Sequence, residues 1–142
     1  MPMKMYFIAV CIASFIQIDS YAQSSLSRTT YNSEVFRTLL KDSVISKYLD
    51  LKNFRNSTFL NTTNQSIKND TLEVGSETFF VLDTSYENFV SGRLRIMKFE
   101  EVDSSFEIYI DYAPEEKAVN VTIVKRDNEF IIKNRDLLSH LD

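Results

Sequence analysis

Apolar and polar positions alternate along much of the stretch from Gly92 to Asn134, and the rest of the chain reads as a cover for one face of it. Phe106, Ile108, Ile110 and Tyr112 alternate with Glu107, Tyr109 and Asp111, the period-2 signature of a strand with one buried face. Val119, Val121 and Ile123 follow, alternating with Asn120, Thr122 and Val124. Pro114 to Lys117 sits between the two runs as a four-residue turn, with proline where a fixed φ helps. Pairing Tyr112 with Val119, Ile110 with Val121 and Ile108 with Ile123 keeps the apolar residues together. A one-residue slip would set each against a polar partner. Asp127-Asn128 closes the next hairpin, because both residues tolerate the positive φ of a primed turn. That turn places Ile123 opposite Ile132 and Val124 opposite Ile131. A loop at 100–104 closes the first hairpin, with Leu94 and Ile96 facing Ile110 and Ile108, and Arg93 opposite Asp111.

Two faces follow from this four-stranded meander. Ile108, Ile110, Val121, Ile123 and Ile132 point inward. Arg93, Glu107, Tyr109, Asp111, Thr122 and Lys133 point outward and form the candidate partner-binding face.

Upstream, the apolar spacing changes to that of a helix. Ser33 is a good N-cap and Glu34 suits a first turn. The apolar positions from Val35 to Leu51 encircle the axis of one straight helix. Split near Asp42, each half carries a clean stripe. A break is therefore expected at Asp42, with Asp42 or Ser43 capping the second piece. The alternative is one fully buried helix, which Lys41 and Lys47 oppose. Residues 53–70 are rich in Asn, Thr and Ser and read as a loop. Thr71 to Val74 and Thr78 to Asp83 read as strands about Gly75-Ser76, the second buried on both faces across Phe79 to Leu82. Asp83-Thr84-Ser85 is expected to cap a short turn returning Tyr86, Phe89 and Val90 to the core. Asn134 to Asp142 reads as a polar, helical tail docked by Leu137, Leu138 and Leu141.

The expected class is therefore α+β: an N-terminal helix, broken near Asp42, packed on a curved antiparallel sheet of about five or six strands. Helix first and long meander second is similar in general arrangement to the cystatin-like and NTF2-like folds. The QxVxG-type loop of cystatin inhibitors is absent, as is the inward Asp-His pair of catalytic NTF2-like enzymes.

Composition adds a compartment. Lys4, the apolar run Tyr6 to Ile16 and the small residue Ala22 have the layout of a secretory signal, with cleavage after Ala22 and Gln23 first in the mature chain. The alternative is an uncleaved anchor, but the run is about 11 residues against the roughly 20 that span a bilayer. Cys11 lies in mid-run, too early for a lipid attachment site. The expected organisation is a cleaved segment at 1–22, a flexible lead-in at 23–32 and one domain at 33–142, with no membrane span after cleavage. Cleavage removes the only cysteine, and a disulfide-free exported domain fits a bacterial periplasmic or secreted protein. Asn56, Asn61, Asn64, Asn69 and Asn120 each begin a glycosylation sequon. In a bacterial Asn/Thr-rich loop these arise by chance.

The same residues exclude several chemistries. His140, the sole histidine, lies near the end of the chain, where no third group would orient it as a catalytic base. One histidine and no mature cysteine leave zinc without ligands. The acidic clusters at Glu100, Glu101 and Asp103 and at Glu115-Glu116 lack EF-hand spacing and read as solvated turns. The net charge of −4 and the absence of a basic run with interleaved aromatics argue against nucleic acid. No cofactor is implied. The expected function is an exported, non-catalytic binding domain, engaging a protein partner or a small ligand through the sheet. Two alternatives stand beside it: a small NTF2-like enzyme using a carboxylate/Tyr pocket at Glu107 or Asp111, and an envelope assembly subunit with an uncovered edge strand.

Overall fold

The computed structural model describes residues 28–67, 71–88 and 94–139. Helix α1 (28–41) and helix α2 (Ser43–Tyr48) pack on a curled seven-stranded sheet. The strands are β1 (Thr58–Asn61), β2 (Thr71–Val74), β3 (Glu77–Asp83), β4 (Leu94–Val102), β5 (Ser105–Tyr112), β6 (Lys117–Arg126) and β7 (Glu129–Ser139). Their spatial order is β2-β3-β1-β4-β5-β6-β7. The α+β arrangement of helix on curved sheet is as the residues predict. The sheet is larger than expected and mixed, because β1 runs parallel to both β3 and β4.

β1 lies in the stretch assigned to a loop. Its four residues carry too little alternation to announce a strand, yet Phe59 and Leu60 are both fully buried, one on each face. Position between two longer strands makes it a strand, and that is non-local information. β3 corrects a second expectation. Val81 is buried, but Phe80 on the other face remains 40% exposed, so the strand is buried on one face only.

The helical break falls where the stripes change direction. Asp42 is the N-cap of α2, and its carboxylate accepts from the backbone N–H groups of Val44 and Ile45 at 3.0 and 2.9 Å. Val35, Phe36, Leu39, Ile45 and Leu49 all enter the core. Ser33 is not a cap. It lies inside α1 and its hydroxyl donates to the Thr29 carbonyl at 2.9 Å. Residues 28–32, assigned to the lead-in, are helical because they have tertiary partners. Tyr31 packs on Phe106 and Phe130 at 5.5 and 4.9 Å between centroids, and the buried Asn32 amide donates to the Ser66 carbonyl. Such packing outweighs a local cap signal.

In the meander the faces are as expected and two of the three registers are not. The Asp127-Asn128 turn has positive φ at both residues and pairs Ile123 with Ile132 and Val124 with Ile131, as predicted. Between β5 and β6 the pairs are Ile110 with Val119 and Ile108 with Val121, two residues from the expected register. The loop is residues 113–116, a 3-10 turn ending with Glu116 at φ 51°. A shift of two preserves every face, so hydrophobic pattern cannot detect it, and the left-handed Glu116 decides it. The first hairpin turns at Asp103-Ser104, both with positive φ, rather than through a longer loop. Ile96 therefore pairs with Ile110, and a bulge at Met97 lets Phe99 face inward opposite Ile108. The residue opposite Asp111 is Arg95; Arg93 lies outside the described residues.

The tail is a strand, not a helix. β6 offers a ladder along its whole length, and β7 follows it from Glu129 to Ser139 across one irregularity at Lys133. The capped turn at Thr84–Tyr86 forms as expected on Asp83, but Tyr86 is 46% exposed rather than returned to the core. Phe89, Val90, Asn69, His140 and Leu141 lie outside the described residues, as do the expected signal segment and its cleavage site.

Candidate binding surface: the outer sheet face and the β7 edge

Strand pairing assembles most of the candidate face. Glu107 stands between Glu100 and Thr122, and Thr122 pairs onward with Asn134. Tyr109 lies between Lys98 and Asn120, and Asp111 between Arg95 and Ala118. Lys133 is the extra residue of the β7 irregularity and is exposed. Glu107, Tyr109, Asp111 and Thr122 therefore share one surface, each half-buried by its neighbours.

That surface is laced with charge. Lys98 forms an ion pair with Glu107 and lies 3.6 Å from Glu100. The hydrogen bond to Glu107 raises the Lys98 ammonium above its ordinary value, against some desolvation. Arg95 reaches back to Glu87 at 2.5 Å. Leu60 is wholly buried on this side, flanked by Leu82 and Arg95 in neighbouring strands. Glu107 and Asp111 line none of the three grooves described below.

Those grooves lie elsewhere. A polar one of ≈ 270 Å³ runs between the 62–65 loop and Met97 to Glu100. A second, of ≈ 450 Å³, separates Glu34, Thr38 and Lys41 of α1 from the β6–β7 turn. The largest, ≈ 620 Å³, opens between α2 and β7 and is lined by Ser43, Val44, Lys47, Tyr48, Lys117 and Leu137. Tyr48 spans its inner end, its hydroxyl donating to the Leu138 carbonyl at 2.7 Å. Lys117 sits over the Tyr48 ring at 5.3 Å and pairs with Glu115 at 2.5 Å, which raises its pKa. Arg135 of β7 reaches Asp42 at the helical break at 2.9 Å.

Among the described residues β7 pairs with β6 alone and lies at the end of the sheet. Residues 133–139 are exposed, with Leu137 at 40% and Leu138 at 39%. The sequence hides this edge. Lys133 to Asp136 is polar throughout, and two adjacent leucines fit a helical tail as well as a strand with both faces open.

The sequons sort by burial. Asn56 is fully buried and its amide donates to the carbonyls of Leu49 and Asp50, so a glycan there is incompatible with this fold. Asn61 is held in its own turn by Thr63 and Gln65, while Asn64 is exposed. Among the described residues no three His, Cys, Asp or Glu side chains gather as a metal site, and no helix is long and apolar enough to cross a membrane.

A scan against protein-family models finds no match to this chain, and searches of curated proteins and of solved structures find none.

Proposed function

We propose that this chain is an exported, non-catalytic binding domain that engages a protein partner through its sheet. The observation that carries the reading is the eleven-residue end strand β7, with no second strand beside it among the described residues and exposed from 133 to 139. The assembly-subunit alternative expects the same edge, and recovery of a foreign partner rather than further copies of this chain separates the two. An open edge presents a row of backbone donors and acceptors that another chain can extend. Its two faces lead to the surfaces already described. A strand added to β7 would prolong the outer row Glu107–Thr122–Asn134 and roof the groove against α2. Tyr109, Asp111 and Lys133 complete the outer contact in this reading. The N-terminal charge, apolar run and small residue support export, to the periplasm or beyond the cell.

The test uses mature protein starting at Gln23 as bait in an envelope extract, with crosslinking and mass spectrometry. One stoichiometric protein partner, crosslinked to β7 or to the β5–β6 outer face, is the expected result. A bait that retains only a small molecule, or turns over a substrate, overturns the reading.

A further inference from the structure

Resting on the reading of this chain as a binding domain, we propose that the docked element is an extended segment of the partner that adds antiparallel to β7 and carries an acidic residue two positions before an apolar one. The geometry points to this from both sides of the groove. The β7 residues on the helix side of the sheet are Arg135, Leu137 and Ser139. In an added strand, the residues opposite these three face the same way. The residue opposite Leu137 enters the space between Leu137, Val44 and Tyr48, where Val44 and Leu137 are 39% and 40% exposed. An apolar side chain there covers surface that is otherwise wet.

The acidic preference comes from charge. Among the described residues the groove is lined by Lys47 and Lys117 and by no carboxylate. Lys117 already has Glu115, whereas Lys47 makes no ion pair among the described residues. Ser139 pairs with Lys117, so the guest residue opposite Ser139 lies at the cationic end of the groove. The opposite end is occupied by the Arg135–Asp42 pair, which offers a second acid no free cation. Running antiparallel, as β5, β6 and β7 do, the guest meets the Ser139 position first and the Leu137 position two residues later. The order is acidic, any residue, apolar.

Pairing of β7 with a second copy fits less well. Registers centred on Arg135 or Asp136 oppose like charges directly. The register centred on Leu137 places no acid near Lys47, since the two residues opposite Ser139 and Leu137 are then Arg135 and Leu137.

The probe is a fluorescein-labelled peptide, Thr-Thr-Thr-Glu-Thr-Leu-Thr-Thr-Thr, titrated with mature protein by anisotropy. Saturable binding is expected. Replacing the peptide Glu by Lys should weaken it roughly fivefold or more, and Lys47→Glu in the protein should do the same. Combining the two changes should restore most of the loss. N-methylation of alternate peptide amides should abolish binding in one phase and spare it in the other, as a ladder requires. Lys47 is exposed, so K47E leaves folding intact. Equal binding of the Glu and Lys peptides overturns the proposal, as does indifference to N-methylation, or a self-associated form that the peptide does not dissociate. A stoichiometric partner whose capture is unaffected by K47E and by Leu137→Asp overturns this proposal and leaves the binding reading standing.

Discussion

The Asn56 side-chain amide lies 3.2 Å from the Tyr112 hydroxyl, joining the 3-10 turn just before β1 to the end of β5 inside the core. The same amide donates to the carbonyls of Leu49 and Asp50 at 3.0 and 3.2 Å, just past α2. Two hydrogens serve three acceptors, so one bond is shared. Both side chains are essentially buried, at 0% and 2%. Removing the amide leaves buried carbonyls without a donor, which costs more than losing a solvated bond. Asn56→Ala should destabilise by about 2–3 kcal/mol, and Tyr112→Phe by about 1 kcal/mol. Urea unfolding of both variants and the double variant checks this. Equal costs for the two single variants would mean that the hydroxyl, not the carbonyls, is the important acceptor.

Asp42 serves two structures at once. One carboxylate oxygen caps α2, and the other accepts from Arg135 on β7. Asp42→Ala loses both and should cost about 1–2 kcal/mol, mostly the cap. Asp42→Asn keeps a capping oxygen and loses the ion pair, which is partly exposed and worth at most about 1 kcal/mol. Arg135→Ala should match Asp42→Asn rather than Asp42→Ala. The measurement is again denaturant unfolding, and a large Arg135→Ala effect would place the stability in the edge strand instead of the cap.

Asp42 also shows what the sequence made legible. Its position between two apolar stripes of different direction announced the break, because helical phase is a local property. The Asp127-Asn128 turn was equally local, and its register followed. The β5–β6 register was not, since a shift of two leaves Ile108, Ile110, Val119 and Val121 on the same face. β1 was illegible because Phe59 and Leu60 are strand residues only by virtue of β3 and β4 beside them. Of the candidate surface, the grouping of Glu107, Tyr109, Asp111 and Thr122 needed only the parity of β5 and β6. The groove at Val44, Lys47 and Leu137 needed the tail to be a strand, and nothing in Asn134 to Ser139 distinguishes strand from helix without β6 alongside.

Met97 resolves a conflict of parity in β4. Ile96 and Phe99 are both buried on the helix side, three residues apart, which an unbroken strand forbids. The bulge at Met97 supplies the extra step, and Met97 itself is 50% exposed. Substituting Met97 by Thr should change stability by no more than about 0.5 kcal/mol. Deleting it should cost no more than about 1 kcal/mol, because Ile96 and Phe99 then stand two residues apart on one face and the pairs on either side of the bulge are kept. Thermal or urea unfolding of both variants checks this. A deletion that costs above about 3 kcal/mol would show that Met97 is not the extra residue of β4, and would weaken the assignment of the outer face beyond Ile96.

Lys98 gives the outer face a pH signature. Its hydrogen bond to Glu107 raises its pKa in the folded protein above the ordinary lysine value of 10.5. A cation with a raised folded pKa contributes stability that is fully present below the unfolded value and is lost as pH rises through the folded one. The pair therefore contributes across the neutral range and fades only in alkali above about 10.4. Its size is small because Lys98 is exposed to solvent and the pair is screened by salt. Heteronuclear NMR of the lysine side chains should show Lys98 titrating above the ordinary lysine value. In Glu107→Gln that elevation should shrink, leaving the smaller influence of Glu100 at 3.6 Å. Ordinary titration of Lys98 in the wild type would mean that the ion pair does not persist in solution. Glu107 would then be free to meet a partner's cation directly.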